Sequence, residues 1–129
     1  MRVIIAGSRD FNDYDKVKKH CVLFQKKFGP ITEVVSGTAR GADRLGERWA
    51  HENNVPVHQM PAEWDKYGKS AGYRRNEAMA ECADALIAFN VNNSKGTGHM
   101  IDIASHKGLQ CYVVKIYVVK ITALASTAH

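Results

Sequence analysis

An apolar run halted by a glycine opens the chain: Val3, Ile4, Ile5 and Ala6 follow one another without a polar residue and stop at Gly7. A β-branched run of this kind leaves no face for water, as in a strand covered on both sides within a parallel sheet. The period then changes. From Asn12 the apolar residues Val17, Cys21, Phe24 and Phe28 recur at helical spacing, with Asn12 or Asp13 available as a cap and Gly29-Pro30 as a stop. Ile31 to Val35 is a second strand-like run ending at Ser36-Gly37, after which Ala42, Leu45 and Trp49 resume the helical stripe. Val55 to Met60 reads as a third strand, followed by a polar loop with Pro61 and Trp64 and a helix from about Ala71 to Ala83. Ala85 to Phe89 is a fourth. Gly96-Thr97-Gly98 then precedes a helix carrying Met100, Ile103 and Ala104, and a fifth strand starts near Cys111. Strands that alternate with helices of about 10–15 residues specify right-handed crossovers. The expected fold is an α/β, Rossmann-like three-layer sandwich with a mainly parallel sheet of about five strands.

The length of 129 residues suits one domain that buries its core unaided, and 45% hydrophobic with 24% charged residues excludes a disordered or fibrous chain. Cys21, Cys82 and Cys111 are odd in number and set in apolar sequence, so they read as buried thiols rather than a disulfide framework or a zinc site. His51, His58, His99 and His106 lack ligand spacing and read as surface or packing residues, and no metal or cofactor is expected. No segment reaches the roughly 18 apolar residues of a membrane span, and the chain opens on a strand, which gives the expectation of a cytoplasmic protein with no membrane partner. Tyr-Val-Val-Lys-Ile occurs in tandem at 112–116 and 117–121. Such an apolar, β-branched stretch predicts an edge on which a second copy could pair, hence a homodimer, with residues 122–129 as a frayed tail.

In an open parallel sheet, ligands sit beyond the carboxyl ends of the strands, so the strand-to-helix turns carry the functional information. Here they are Gly7-Ser8-Arg9-Asp10, then Ser36-Gly37-Thr38-Ala39-Arg40-Gly41-Ala42-Asp43, then Ser94-Lys95-Gly96-Thr97-Gly98. Glycine allows close backbone approach, and the N–H groups and dipole of a following helix attract an anion. A phosphate fits such turns. Neither the Gly-x-Gly-x-x-Gly dinucleotide fingerprint nor the nucleoside triphosphate loop is present, which disfavours dehydrogenases and P-loop enzymes.

The order and spacing of these pieces, with Trp64, Gly68-Lys69-Ser70-Ala71-Gly72, Arg75-Asn76, Met79, Ala83-Asp84 and Met100-Ile101, resemble the SLOG superfamily, specifically its YspA-like, cpYpsA-related branch of bacteria and phages. The resemblance runs from Arg2 to about Gly108 and implies a Rossmann-like fold that binds nucleotides or nucleotide-derived ligands. It also implies kinship with the Lonely Guy phosphoribohydrolases and the DNA-processing protein A family. Arg75 falls where the phosphoribohydrolases place an arginine, and Gly96-Thr97 where their phosphate-binding motif lies. Met100 stands in place of their catalytic glutamate. N-glycosidic cleavage requires a carboxylate, so Asp10, Asp43 or Asp102 would have to substitute.

The reading that follows is a ligand-binding module that senses or sequesters a nucleotide-like small molecule. Its expected contacts are Gly7, Ser8, Arg9, Gly37, Thr38, Arg40, Gly41, Asp43, Arg75, Asn76, Gly96, Thr97 and Gly98, with Asp43 and Arg75 the catalytic candidates of the enzymatic alternative. Asp43 also suits a helix-orienting role, and Arg40 and Arg75 suit structural partners of acids. The +5 net charge favours anions in general. Nucleic acid is the weakest alternative: Lys16, Lys18, Lys19, Lys26 and Lys27 share one amphipathic segment and read as a solvated face. Trp64, Tyr67 and Tyr73 with Lys66, Lys69 and Arg74 make only a short run of aromatics and cations.

Overall fold

The computed structural model describes residues 1–119. Its strands are β1 (Arg2–Gly7), β2 (Glu33–Ser36), β3 (Val57–Gln59), β4 (Ala85–Val91) and β5 (Gln110–Ile116), and its helices α1 (Tyr14–Phe28), α2 (Ala42–Glu52), α3 (Trp64–Tyr67), α4 (Ala71–Glu81) and α5 (Lys95–His106). The strands form a five-stranded sheet in the order β3-β2-β1-β4-β5, and every pairing is parallel. This is the expected Rossmann-like sandwich.

Val3, Ile5, Ala85, Ile87 and Phe89 point to one face, where they meet Val17, Cys21 and Phe24 of α1 and Ala42, Trp49 and Ala50 of α2. Ile4, Ala6, Leu86 and Ala88 point to the other, against Met79 and Ala80 of α4 and Met100 and Ala104 of α5. The alternation of a strand distributes an uninterrupted apolar run over both layers, which is why β1 and β4 contain no polar residue at their centres. Asp13 caps α1 by accepting from the Lys16 N–H at 3.2 Å, and Gly29, at φ 112°, ends it.

Several local expectations are corrected. The region around Trp64 is the helix α3, continued by a 3₁₀ turn over Gly68–Ser70, rather than a loop. Gly96, Thr97 and Gly98 form the first turn of α5, because Ser94 takes the capping position and so moves the helix start upstream of the glycines. Of the cysteines only Cys21 is buried; Cys82 is half-buried at the end of α4, and Cys111 half-buried on β5, which among the described residues has a neighbouring strand on one side only. The first copy of the tandem repeat, 112–116, lies in β5, and Tyr117, Val118 and Val119 continue it as exposed chain. Asn92 holds that continuation: its N–H donates to the Ile116 carbonyl at 2.8 Å and its Oδ1 accepts from the Val118 N–H at 3.0 Å. The expected tail at 122–129 lies outside the described residues. Among the described residues no helix is long and apolar enough to cross a membrane.

The contact between α2 and β1 leaves no room for a side chain at Gly46, where a Cβ would stand 2.7 Å from the Cβ of Ile5. Gly46→Ala should therefore destabilise the fold by about 1–3 kcal/mol, overriding the better helix propensity of alanine. Gly98→Ala, on α5 with open space around it, should stabilise by about 0.5–1 kcal/mol. Urea melts of the two variants check this, and a stabilised Gly46→Ala would show that the α2–β1 contact is looser than described.

Candidate functional site

The chain leaves β1 for β2 on one side of the sheet and reappears in β4 on the other, so the loops that follow β1 and β4 diverge. A crevice must open between them. It is a cleft of about 570 Å³ lined by the loop after β1, the loop after β4 with the start of α5, and a wall made by α3 and α4. Ala6, Met79 and Met100 give it an apolar floor.

The loop after β1 is locked to β4. The Ser8 N–H donates to the Phe89 carbonyl at 3.2 Å, and the Ser8 hydroxyl accepts from the Val91 N–H at 3.1 Å, extending the sheet ladder by one side chain. The Ser8 carbonyl accepts from the Ala42 N–H at 3.3 Å, which ties the start of α2 to the same loop. Gly41 makes that approach feasible: it has φ 82°, and a Cβ there would stand 2.4 Å from the Ser8 carbonyl oxygen.

Asp43, in the first turn of α2, is buried and accepts from the Ala39 N–H at 3.2 Å, so it folds the turn after β2 back on the helix. Burial pushes its carboxyl up to about 6, against the opposing pull of the Arg75 guanidinium, the Ala39 N–H and Arg9. Arg75 is lowered from its ordinary value by burial, with the Asp43 charge acting the other way. The two do not form an ion pair: the contacts within 4.0 Å among the described residues are Arg2–Glu33, Lys18–Asp15, Arg48–Glu52 and Lys107–Glu81. Arg75 instead donates through Nη1 to the Gly37 carbonyl at 2.5 Å and through Nε to Asn76 Oδ1 at 3.0 Å. A side chain at Gly37 would meet that guanidinium, so Gly37 is the seat of Arg75.

Across the cleft, Ser94 caps α5: its hydroxyl accepts from the Thr97 N–H at 3.3 Å and donates to the Thr97 hydroxyl at 2.8 Å. The Gly98 N–H donates to the Ser94 carbonyl at 2.9 Å, the first bond of the helix. Lys95 and Gly96 thus occupy the open N-terminal turn, whose N–H groups have no partner within the helix. That turn holds no acidic residue. On the α4 side, Asn76 Nδ2 donates to His99 Nδ1 at 3.2 Å, and the His99 imidazole packs 4.4 Å, centroid to centroid, from the Tyr73 ring.

Of the residues expected at the site, Gly7, Ser8, Arg9, Asp43, Arg75, Asn76, Gly96 and Thr97 line this one cleft. Gly37, Thr38, Arg40, Gly41 and Gly98 do not. Gly37 and Gly41 support groups that do, the Thr38 carbonyl accepts from Arg44 Nε at 2.9 Å, and Arg40 is exposed. Asp10 lines the cleft, whereas Asp102 is exposed on α5 away from it. Sequence reasoning missed Trp64, Lys69, Tyr73 and Asn92 as cleft residues. The signal was present, since Trp64, Lys69 and Tyr73 stand in the aromatic and basic run already noted; what was absent was the helix that turns it inward. Among the described residues no cluster of His, Cys, Asp and Glu could hold a metal ion.

Residues 1–67 match the model of the family described as YspA, cpYpsA-related SLOG. The chain is also similar to the Gene 61 protein of Mycobacterium phage D29, with 36% identity over 116 residues, spanning 84% of this chain and 91% of the phage protein. No solved structure gives a significant match.

The raised carboxyl of Asp43 has a measurable consequence for stability. Because the folded chain holds this proton more tightly than the unfolded one, the contribution is fully present below about pH 4 and is lost as pH rises through about 6. Asn mimics the protonated acid, so Asp43→Asn should gain on the parent by about 2–3 kcal/mol between pH 4 and 7.5. Denaturant midpoints at the two pH values test it; parallel pH dependence in parent and variant would show that Asp43 titrates normally.

Proposed function

The chain belongs to the YspA, cpYpsA-related SLOG family, and from that membership, which points to nucleotide-related ligands, we propose that its cleft binds a nucleotide or a nucleotide-derived molecule as a sensing or sequestering module. The observation that carries this reading is Lys95. A cation in the first turn of a helix opposes the macrodipole and costs stability, typically about 0.3–1 kcal/mol. Here it stands with no acid in that turn, beside N–H groups without a helical partner, and on the wall of the cleft. Arg9 and Lys69 add positive charge to the same cleft. An anion such as a phosphate offsets all of these at once.

Binding is favoured over cleavage by Met100. It is buried at the floor of the cleft and packed in the core, at the position where the resemblance puts the hydrolytic glutamate. A thioether neither stabilises an oxocarbenium centre nor activates water. One observation supports a second, enzymatic reading: Asp43, at about 6, exchanges a proton near neutral pH and lines the cleft. Under that reading Asp43→Asn abolishes release of free base from nucleoside monophosphates, detected by chromatography.

In a thermal-shift screen of nucleoside monophosphates, ADP-ribose and cyclic nucleotides, a bound ligand at a hundred times its Kd should stabilise the chain by about 2.7 kcal/mol, without base release. Lys95→Ala should weaken that ligand by about 1–1.5 kcal/mol while leaving the unliganded chain equally or slightly more stable. Unchanged affinity in Lys95→Ala would remove the phosphate from the α5 start.

A further inference from the structure

Tyr73 and Trp64 are the large aromatic side chains that stand on the wall of the cleft, and the fold leaves them 47% and 51% exposed. Leaving that much aromatic surface in water forfeits stabilisation that burial would supply. Yet Tyr73 is not a loose surface residue. Its ring packs against His99, 4.4 Å between centroids with the planes inclined by 58°, so the imidazole holds it on one side. Behind His99 runs a chain of bonds whose directions are fixed by chemistry. Arg75 can only donate, so Asn76 must present Oδ1 to it; Nδ2 is then left to donate to His99, whose Nδ1 must accept. Arg75 in turn is fastened to the Gly37 carbonyl in the turn after β2. Two buried or half-buried polar side chains are thereby consumed in bracing an exposed ring.

Such bracing does nothing for a ring that meets only water. It is useful for a ring that must present a flat surface at a fixed angle. Trp64 lines the same cleft, its indole 3.5 Å from where a Cβ would stand on Gly72, the residue before Tyr73, so the indole lies against α4. Lys69 and the open start of α5 line the same cleft. We propose that Tyr73, with Trp64 beside it, stacks on the nucleobase of the ligand whose phosphate lies at the α5 start, and that Asn76 and His99 are positioning residues for Tyr73. This rests on the nucleotide-binding reading of the cleft. Stacking uses the π-face that every base has, so the platform selects for the presence of a base rather than for its identity.

The test separates base from phosphate. The full chain is titrated calorimetrically with adenosine, guanosine, cytidine and uridine monophosphates and with ribose 5-phosphate, which carries the same sugar and phosphate without a base. At least one nucleotide should bind about 5- to 150-fold tighter than ribose 5-phosphate, the range that corresponds to one stacked base. Tyr73→Ala should remove most of that advantage and leave ribose 5-phosphate unaffected; Tyr73→Phe should retain it. His99→Ala should narrow the advantage in the same selective way, whereas a merely structural role would weaken both ligands together. Trp49 is 3% exposed, so nucleotide-dependent quenching of tryptophan fluorescence should vanish in Trp64→Phe and should not occur with ribose 5-phosphate. Equal affinity for nucleotides and ribose 5-phosphate in the parent overturns the platform and leaves the phosphate site standing, as does a Tyr73→Ala that weakens both ligands alike. If none of these probes binds, and ADP-ribose and cyclic nucleotides do not bind either, the nucleotide reading itself fails and the platform falls with it.

Discussion

Strand β1 is paired along both edges, with β2 through Arg2–Ile4 and with β4 through Val3–Gly7. A strand in that position has its ladder filled on both sides, so the chain that emerges at Gly7 has no further strand to join. The crossover through α1 takes it to one side, and the crossover that ends in β4 comes back on the other. The polar groups at the end of the ladder are then satisfied locally: Ser8 bonds Phe89 and Val91 with its backbone and its hydroxyl, and receives Ala42 on its carbonyl. Loops that are stitched this tightly to the sheet cannot fill the space between themselves. The cleft is the volume that the topology leaves over, and its floor is whatever side chains the two central strands and their covering helices place there.

This accounts for what was legible in the sequence. The buried strands were legible because parallel, doubly covered strands have no polar alternation, and α1, α2 and α4 because their apolar residues keep helical spacing. The turns after β1, β2 and β4 were legible together because their residue types, glycine with hydroxyl and cation, are those of strand-to-helix connections. Less legible was which glycine lines the cleft and which supports another residue. Gly37 and Gly41 look alike in sequence to Gly96, but the first seats Arg75 and the second admits the Ser8 carbonyl, whereas Gly96 faces open space. Nothing local distinguishes them, since the distinction is made by groups more than thirty residues away. The wall formed by α3 and α4 was missed for a different reason. A four-residue helix has too few positions to show a period, so Trp64 carried no signal of direction.

Long-range polar contacts also explain how helices on one layer share a site with a turn on the other. Arg75 leaves α4, reaches the Gly37 carbonyl after β2, and through Asn76 fixes His99 on α5. Each link leaves its partner with one available hydrogen-bonding role, so the network admits a single arrangement of the amide and the imidazole. A polar network of this kind fixes geometry, and no buried side-chain polar atom among the described residues lacks a partner.

Where a folded chain departs from the rules that stabilise it, the departures are informative when they coincide in space. Four do so here. Lys95 opposes the dipole of α5; Asp43 is buried without an ion pair, at a position where its charge is penalised; Trp64 and Tyr73 are exposed; and Arg75 is partly desolvated against a carbonyl rather than a carboxylate. Any one of them elsewhere on the surface would be an unremarked local cost. All of them line the same cleft, on loops and helices brought together only by the sheet order. A single ligand with an anionic end and a flat aromatic end would relieve the dipole conflict and the aromatic exposure together. The buried acid and the desolvated guanidinium lie in the same cleft, where they would meet the polar part of such a ligand.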